Sequence, residues 1–433
     1  MKVAFYLENA TIPDVDFTRP ELGNPGCGGT EYLFATLPYY LIKFGQSACT
    51  PVLFANDTDH LPLGVTAHRV DDCYAALRAA KASGCNIFVY RPKRQTEMDM
   101  LDLMAELQMP SVLWIHVIPT SAYIRKIATN PYVRAFVCVE HEQHDTLYDT
   151  SLGKKLTYIV NGFDVDGFRS DLKNIEKDPN LVVHIGTLVP QKNFHLVAQA
   201  WPRILAAHPS ARLAVIGSGD IYGTGGTLGP WGLADEAYEH KYMIPYLSGT
   251  DGRPHPSVQF LGKMGLEKKQ ILARAIVGIP NPTGDNENCP GTNLEMSAAG
   301  TAVVSGARYG ALDTVRHGVT GLLGNGQDDL VQNVVRYLKD PDFARACGQN
   351  GITFVKERYD YQNVVHEWID LFARIKQGRD PVQKGVKPNL FKHQKIVRLL
   401  NKPLQLTAGQ MIPWPSFNEI KEVLHRVRAG ARK

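Results

Sequence analysis

Residues 284–300 read GDNENCPGTNLEMSAAG. Two acids, Glu287 and Glu295, stand eight positions apart in a segment otherwise made of small, turn-forming and apolar residues. Glu287 lies in a Gly/Asn/Pro loop after the strand-like run AIVGIP, where an ionised carboxylate can accept hydrogen bonds from a ligand at the mouth of a sheet. A solvated loop acid is the plain alternative. Glu295 has a structural reading as well, because Thr292-x-x-Glu295 has the spacing of a capping box. The free amides ahead of that helix make an anion site. Lys192, in VPQKN, sits between a strand and a helix, where a cation opposes the helix dipole and is poorly placed for structure alone. His116 closes the run SVLWIH; a lone histidine at a strand end is more often structural than functional. Gly28 and Gly29 precede the helical TEYLFATLPYYLIKF and would let backbone amides approach a phosphate or a sugar, or would serve an ordinary turn.

The elements that position these residues follow a rhythm. KVAFYLE, TPVLFA, NIFVYR, SVLWIHV and AFVCVE are short β-branched or aromatic runs separated by longer helical segments such as EYLFATLPYYLIKFG and CYAALRAAKASG. That alternation predicts βα units and a parallel sheet. YIVNGFDVDGF, at 158–168, breaks the pattern with turn residues. The rhythm restarts at LVVHIG and continues through FHLVAQAWPRILAAH, ARLAVIGSG, VQFLGK, AIVGIP and TAVVSG. The expected fold is therefore α/β, with two doubly wound halves facing each other across a cleft and ligands at strand C-termini. The boundaries are 1–168 for the N-terminal half, 169–360 for the C-terminal half, 361–380 for a helix returning to the first, and 381–433 for a basic extension. A long Gly- and aromatic-rich insert at 220–256 exceeds what a plain connection needs.

Composition narrows the class. The chain has 433 residues, 44% hydrophobic and 21% charged, as expected of a globular protein of two domains. No apolar stretch nears the ~20 residues of a membrane span. The N-terminus does not read as a signal peptide, and the seven cysteines are scattered with no CxxC, so a reducing cytoplasm is expected. Residues 384–433 hold eleven Lys/Arg and two Glu, a charge of +9, which leaves −5 for residues 1–383. A nucleic-acid enzyme more often spreads basic charge over its folded body, so no nucleic-acid partner is expected. Asp-x-Asp occurs in loops at 14–16, 57–59 and 164–166 and reads as turn acids. HEQH, at 141–144, is one residue short of a zinc-binding HExxH and carries no weight.

Glu287-x7-Glu295 followed by MSAAGTAVVSGARYGALDTVRHGVTGLL resembles the GT-B glycosyltransferases of family 4 (glycosyl transferases group 1). GCGGTEY, IVNGFD, HIGTLVPQKNFHLVAQA, AVIGSG, VQFLGK and RYDYQNVVHEWIDLF match in order, over roughly residues 1–375. The resemblance implies two Rossmann-like domains and transfer of a sugar from a nucleotide-diphosphate donor with retention of configuration. It implies no metal and no bound cofactor. Glu287 is then the residue on the donor-sugar hydroxyls and Glu295 the residue on the ribose, compatible with the capping role. Lys192 offsets the charge of the departing diphosphate. His116 contacts the sugar. Asn288, Gly291 and Thr292 serve sugar and phosphates, and Gly217, Gly219, Lys263 and Met264 border the base. Where the family has an arginine after the strand glycine, Gly186 is followed here by Thr187, a candidate for a neutral hydrogen bond. The acceptor is expected to be a glycan or a lipid-linked precursor.

Two rivals stand beside this reading: a relative with different chemistry, such as a nucleotide-sugar epimerase or a phosphorylase, and a nucleotide-sugar binder without turnover. In the extension, NLFKHQKIVRLLNK (389–402) predicts a basic amphipathic helix. Leu390, Ile396, Val397 and Leu400 share one face, with Lys392, Lys395, Arg398 and Lys402 opposite. It is expected either to rest on anionic lipid at the inner face of a membrane or to dock its apolar face on the protein body.

Overall fold

The computed structural model describes residues 1–172, 174–219, 227–285, 287–407 and 414–430. The chain forms two compact units: 1–20, 28–162 and 361–433 make the first, and 21–27 with 163–360 make the second.

The first unit is built on a parallel sheet of seven strands: β1 (Lys2–Leu7), β2 (Thr50–Ala55), β3 (Thr66–Arg69), β4 (Ile87–Tyr90), β5 (Ser111–Ile115), β6 (Val133–Cys138) and β7 (Leu156–Tyr158), in the order β3-β2-β1-β4-β5-β6-β7. The central strands are buried along nearly their whole length, as a sheet covered on both faces requires. The expected strands all formed; β3 and β7, both at edges, carried no clear apolar signal. Helices start where side chains cap them: Asp72 accepts from the Ala75 amide and Thr120 from the Tyr123 amide. The helix Tyr361–Lys376 belongs to this unit, where the Tyr361 ring stacks on Tyr40 with centroids 3.6 Å apart and Trp368 meets Trp114 edge-on.

The second unit holds six parallel strands: β8 (Asp178–Ile185), β9 (Arg212–Ile216), β10 (Val258–Gly262), β11 (Ala275–Ile279), β12 (Ala302–Gly306) and β13 (Gly321–Gly324), in the order β10-β9-β8-β11-β12-β13. In both sheets the order reverses beside the first strand, between β1 and β4 and between β8 and β11, and these switch points open crevices at the strand C-termini. Gly217, just past β9, has φ +135°, and a Cβ there would overlap the Gly186 carbonyl. Of the 220–256 insert, 220–226 lie outside the described residues. The remainder folds around Glu239, which is fully buried and accepts from the amides of Trp231, Leu233 and Ala234 at 2.6–2.8 Å.

The amphipathic helix of the extension forms at Lys395–Thr407, followed by a second helix, Phe417–Gly430. Its docking is the reverse of the expected apolar contact. Lys395 is fully buried, 2.8 Å from both Glu142 Oε1 and Asp145 Oδ2, while Arg398 meets Asp149 Oδ1 at 2.9 Å. Asp149 also accepts from the Asn401 side chain and the Phe417 amide, so one carboxylate organises both helices. Ile396, Val397 and Leu400 face out. The physical reason lies on the body, which offers three buried acids and needs cations to satisfy them.

Gly217→Ala is expected to destabilise the second unit by about 2 kcal/mol or more, through both the left-handed backbone and the carbonyl overlap. Its urea midpoint should fall while the denaturant slope stays unchanged.

Candidate functional site

The loops leaving β8 and β11 flank the switch point of the second sheet and carry the charged candidates. After β8, Thr187 is buried with its carbonyl accepting from the Val189 amide at 2.9 Å. The chain then makes a tight turn, Pro190–Lys192. Asn193 ends that turn in the left-handed region, φ 61°, and starts the helix Phe194–Ala207. Asparagine tolerates that conformation. Its amide donates to Thr283 Oγ1 at 2.9 Å and to Asn281 Oδ1 at 3.2 Å, which ties the β8 loop to the β11 loop.

Across that tie, Lys192 Nζ lies 2.7 Å from Glu287 Oε1. Asn281 Nδ2 donates to the same oxygen at 3.4 Å and to the Asp285 carbonyl at 3.0 Å. The Glu287 carbonyl accepts from the Gly310 amide, so the loop is anchored from a third direction. Glu287 keeps 16% side-chain exposure and Lys192 36%, so the pair is partly covered yet open to a ligand. Two of the residues expected to act on a donor are thus brought together, although they stand 95 positions apart.

Glu295 is placed differently from a capping residue. The helix runs Gly291–Ala298 with Pro290 at its N-cap and no side-chain cap. Thr292 is therefore already inside the helix and cannot cap it, which removes the capping box. Glu295 is instead nearly buried and pairs with Lys268 at 2.9 Å, both side chains 6% exposed. The amides of Gly291 and Thr292 meet no acceptor among the described residues, and Gly291 is exposed. Those donors, Lys192 and the helix dipole together suit an anion. Asn288 is half-buried in the loop just ahead of them.

Gly217 and Gly219 cap the end of β9, where the Gly217 amide donates to Gly262 and the Gly219 amide to Leu233 of the insert. Lys263 is exposed and Met264 half-buried just beyond β10. Gly26, in the glycine loop, has φ +97° and would set a Cβ 2.8 Å from the Met264 carbonyl, so only glycine fits there. The loop divides at that point: 21–27 group with the second unit and Gly28 onward with the first. Gly28 is the N-cap of the helix Gly29–Phe44, and Gly29 faces open space.

His116, just past β5, packs against Trp114 and Phe34. Burial, reinforced by Arg91, pushes its imidazole down to about 3, so it is neutral at physiological pH. Near it, at the switch point of the first sheet, a small open depression is lined by Tyr6, Glu8, Glu31, Arg91 and Lys93 among others. There Arg91 pairs with Glu31 and Lys93 with Glu8. In the second unit, His184 is fully buried beside Phe194, and burial pushes its imidazole down to about 4.

The sequence did not reveal Lys268, Asn281, Asn193 or the first-unit ion pairs, because polar residues in loops and at helix starts carry no mark of the distant partner they meet. His141, His144 and Asp145, from the discounted HEQH stretch, bring ligand atoms within 4.8 Å of one another. There the Lys395 ammonium occupies Asp145, so the cluster serves the C-terminal helices.

Residues 169–354 match the family described as glycosyl transferases group 1. An uncharacterized glycosyltransferase of Methanocaldococcus jannaschii is 27% identical over 237 residues, covering 50% of this chain and 54% of that protein. The GDP-mannose-dependent alpha-(1-6)-phosphatidylinositol monomannoside mannosyltransferase of Mycobacterium tuberculosis is 27% identical over 226 residues, 50% of this chain and 55% of that one. The chain thus spans about half the length of these relatives. Among solved structures, sucrose-phosphate synthase from Thermosynechococcus elongatus superposes with a TM-score of 0.62 at 16% identity, over 87% of this chain and 100% of that one. Anabaena HepE in complex with UDP gives 0.60 at 15%, over 86% and 100%. At such identities the likeness is one of fold.

Lys268→Met leaves the Glu295 carboxyl group buried without its cation and is expected to cost about 3–5 kcal/mol in urea unfolding. The double variant Lys268→Met/Glu295→Gln should recover most of that loss. The buried histidines predict a pH dependence. The unfolded chain protonates its histidines near pH ~6.5, whereas folded His184 does so only near 4. Between those values the unfolded state binds more protons, so stability, complete above pH ~6.5, declines as pH falls, by up to about 1.4 kcal/mol per unit from His184. His184→Leu should flatten that slope in pH-resolved unfolding curves.

Proposed function

We infer that this chain, whose second unit belongs to the glycosyl transferases group 1 family and whose two parallel sheets give it the GT-B fold, transfers a sugar with retention of configuration. The donor is a nucleotide-diphosphate sugar and the acceptor a glycan or a lipid-linked glycoconjugate precursor. The observation that carries this reading is the Lys192–Glu287 pair at 2.7 Å, with Glu287 on the loop leading into a helix whose Gly291 and Thr292 amides meet no acceptor among the described residues. A diphosphate entering there would compete with Glu287 for the Lys192 ammonium and would be met by the amides of Gly291 and Thr292. Glu287, released from its cation, would then accept two hydroxyls of the transferred sugar. Glu295, paired with Lys268, would accept the ribose hydroxyls.

In this mechanism the bond from the anomeric carbon to the diphosphate oxygen breaks, and the acceptor hydroxyl attacks the same face of the sugar. Its proton passes to the departing phosphate oxygen. Lys192 and the helix amides neutralise the charge that develops on the diphosphate, a task that metals perform in other sites. His116, neutral, would position sugar hydroxyls and would not act as a base. We assign the acceptor to the depression at the switch point of the first sheet, whose paired charges suit a hydroxyl-rich ligand. Two relatives are named for GDP-mannose and several solved structures contain UDP or UDP-glucose, so both nucleotides belong in the first screen.

A thermal-shift screen with UDP-, GDP- and dTDP-sugars should show one class raising the melting temperature. With that donor, Glu287→Gln is expected to lower kcat by about 10²-fold or more while leaving the unfolding curve nearly unchanged. Lys192→Ala should weaken donor binding by about tenfold or more, a loss of roughly 1.4 kcal/mol. Full turnover by Glu287→Gln would sink the assignment, and inversion at the anomeric carbon, read by NMR of the product, would sink the mechanism.

A further inference from the structure

Ten of the seventeen large hydrophobics exposed among the described residues lie between 391 and 427, in about a tenth of the chain. On the first helix of the extension Leu400 is 71% exposed; on the second, Val423, Leu424 and Val427 are 54%, 52% and 64% exposed. Phe391, just ahead of them, is 92% exposed. Such a concentration is not the scatter of single apolar residues found on any surface.

The charges of the two helices are sorted with respect to that face. Both acids are engaged: Glu419 pairs with Arg125 and accepts from Ser416, and Glu422 accepts from Ser121 Oγ at 2.6 Å. The two fully buried cations, Lys395 and Arg398, satisfy Glu142, Asp145 and Asp149. Among the other cations, Lys402 lies over the Tyr148 ring, Lys421 donates to Gln394, and exposed Arg426 donates to the Glu422 carbonyl. With both acids engaged by the body, the outer side of the helices presents apolar side chains together with Arg426, the one exposed cation among their described residues, in a segment (384–433) of net charge +9. A second copy of the same face would bring like charges together. An anionic lipid surface complements both components, taking the apolar side chains below its headgroups and the cations among them.

We propose that the helices Lys395–Thr407 and Phe417–Gly430 form a docking surface for anionic lipid, held in register on the first unit by the Lys395 and Arg398 ion pairs and presenting their apolar residues outward. The surface belongs to the first unit and the donor residues to the second, and its test is separate from the identity of donor and acceptor. Full-length protein is sedimented with vesicles of phosphatidylcholine alone and of phosphatidylcholine mixed with phosphatidylglycerol. Leu400→Glu/Val427→Glu, at positions exposed in the fold, is compared with wild type, and circular dichroism melts verify that both are folded. Wild type should bind the anionic vesicles at least tenfold more tightly than the neutral ones, and the double variant should lose at least tenfold of that binding with its melting temperature unchanged. Equal binding of both vesicle types, undiminished binding by the variant, or a wild-type dimer that the variant dissociates would overturn the proposal, the last by showing that a second copy covers the face.

Discussion

A carboxylate held away from water needs a cation or several N–H donors within a few ångströms, and at its donor loops and its C-terminal docking this chain supplies cations. In the second unit Lys192 serves Glu287 and Lys268 serves Glu295. The two pairs differ in one respect that matters for chemistry. Lys268 and Glu295 are nearly closed off, so that pair fixes a carboxylate in one orientation. Lys192 and Glu287 remain partly open, so either partner can be exchanged for a ligand group at modest cost. A fixed acceptor on the helix Gly291–Ala298, and an exchangeable pair on two loops locked by Asn193 and Asn281, fit a site that must recognise an anion and hydroxyls together.

The same rule governs the C-terminal helices. Glu142, Asp145 and Asp149 are fully buried in the first unit, and without cations each would carry a large desolvation cost. Lys395 and Arg398 supply those cations from more than two hundred residues away. Ion pairs of this kind add little net stability over an apolar contact, but breaking one is costly, and they specify geometry. Docking by charge therefore fixes which face of each helix meets the body and leaves the apolar face unspent.

Much of the fold was legible in the sequence because central strands of a covered parallel sheet are continuous apolar runs. KVAFYL, SVLWI and AIVGI can hardly be anything else. The strands that escaped, TAHR, LTY and GLLG, all lie at sheet edges, where a strand is short or half exposed and its pattern fades. Glu287 and Lys192 were visible as local oddities, an acid in a turn-rich loop and a cation at a helix start. Their partnership was not, since nothing local connects positions 95 apart. Thr292 and Glu295 show the opposite failure: the spacing of a capping box was present, yet Pro290 starts the helix early and Glu295 turns to Lys268.

The extension shows where periodicity stops being informative. A helical repeat of apolar and basic residues establishes that two faces exist, but the choice of buried face belongs to the surface that receives the helix. Here that surface was written in EHEQHDTLYDT, whose acids at 142, 145 and 149 recur at helical spacing. Read alone, each looks like a solvated loop acid. Read against a tail of charge +9, they form a receptor for two of its cations. Sorting charge between a strongly basic segment and an acidic body therefore carries structural information that hydrophobic periodicity alone does not. It identifies the face that docks, and so also the face that remains available.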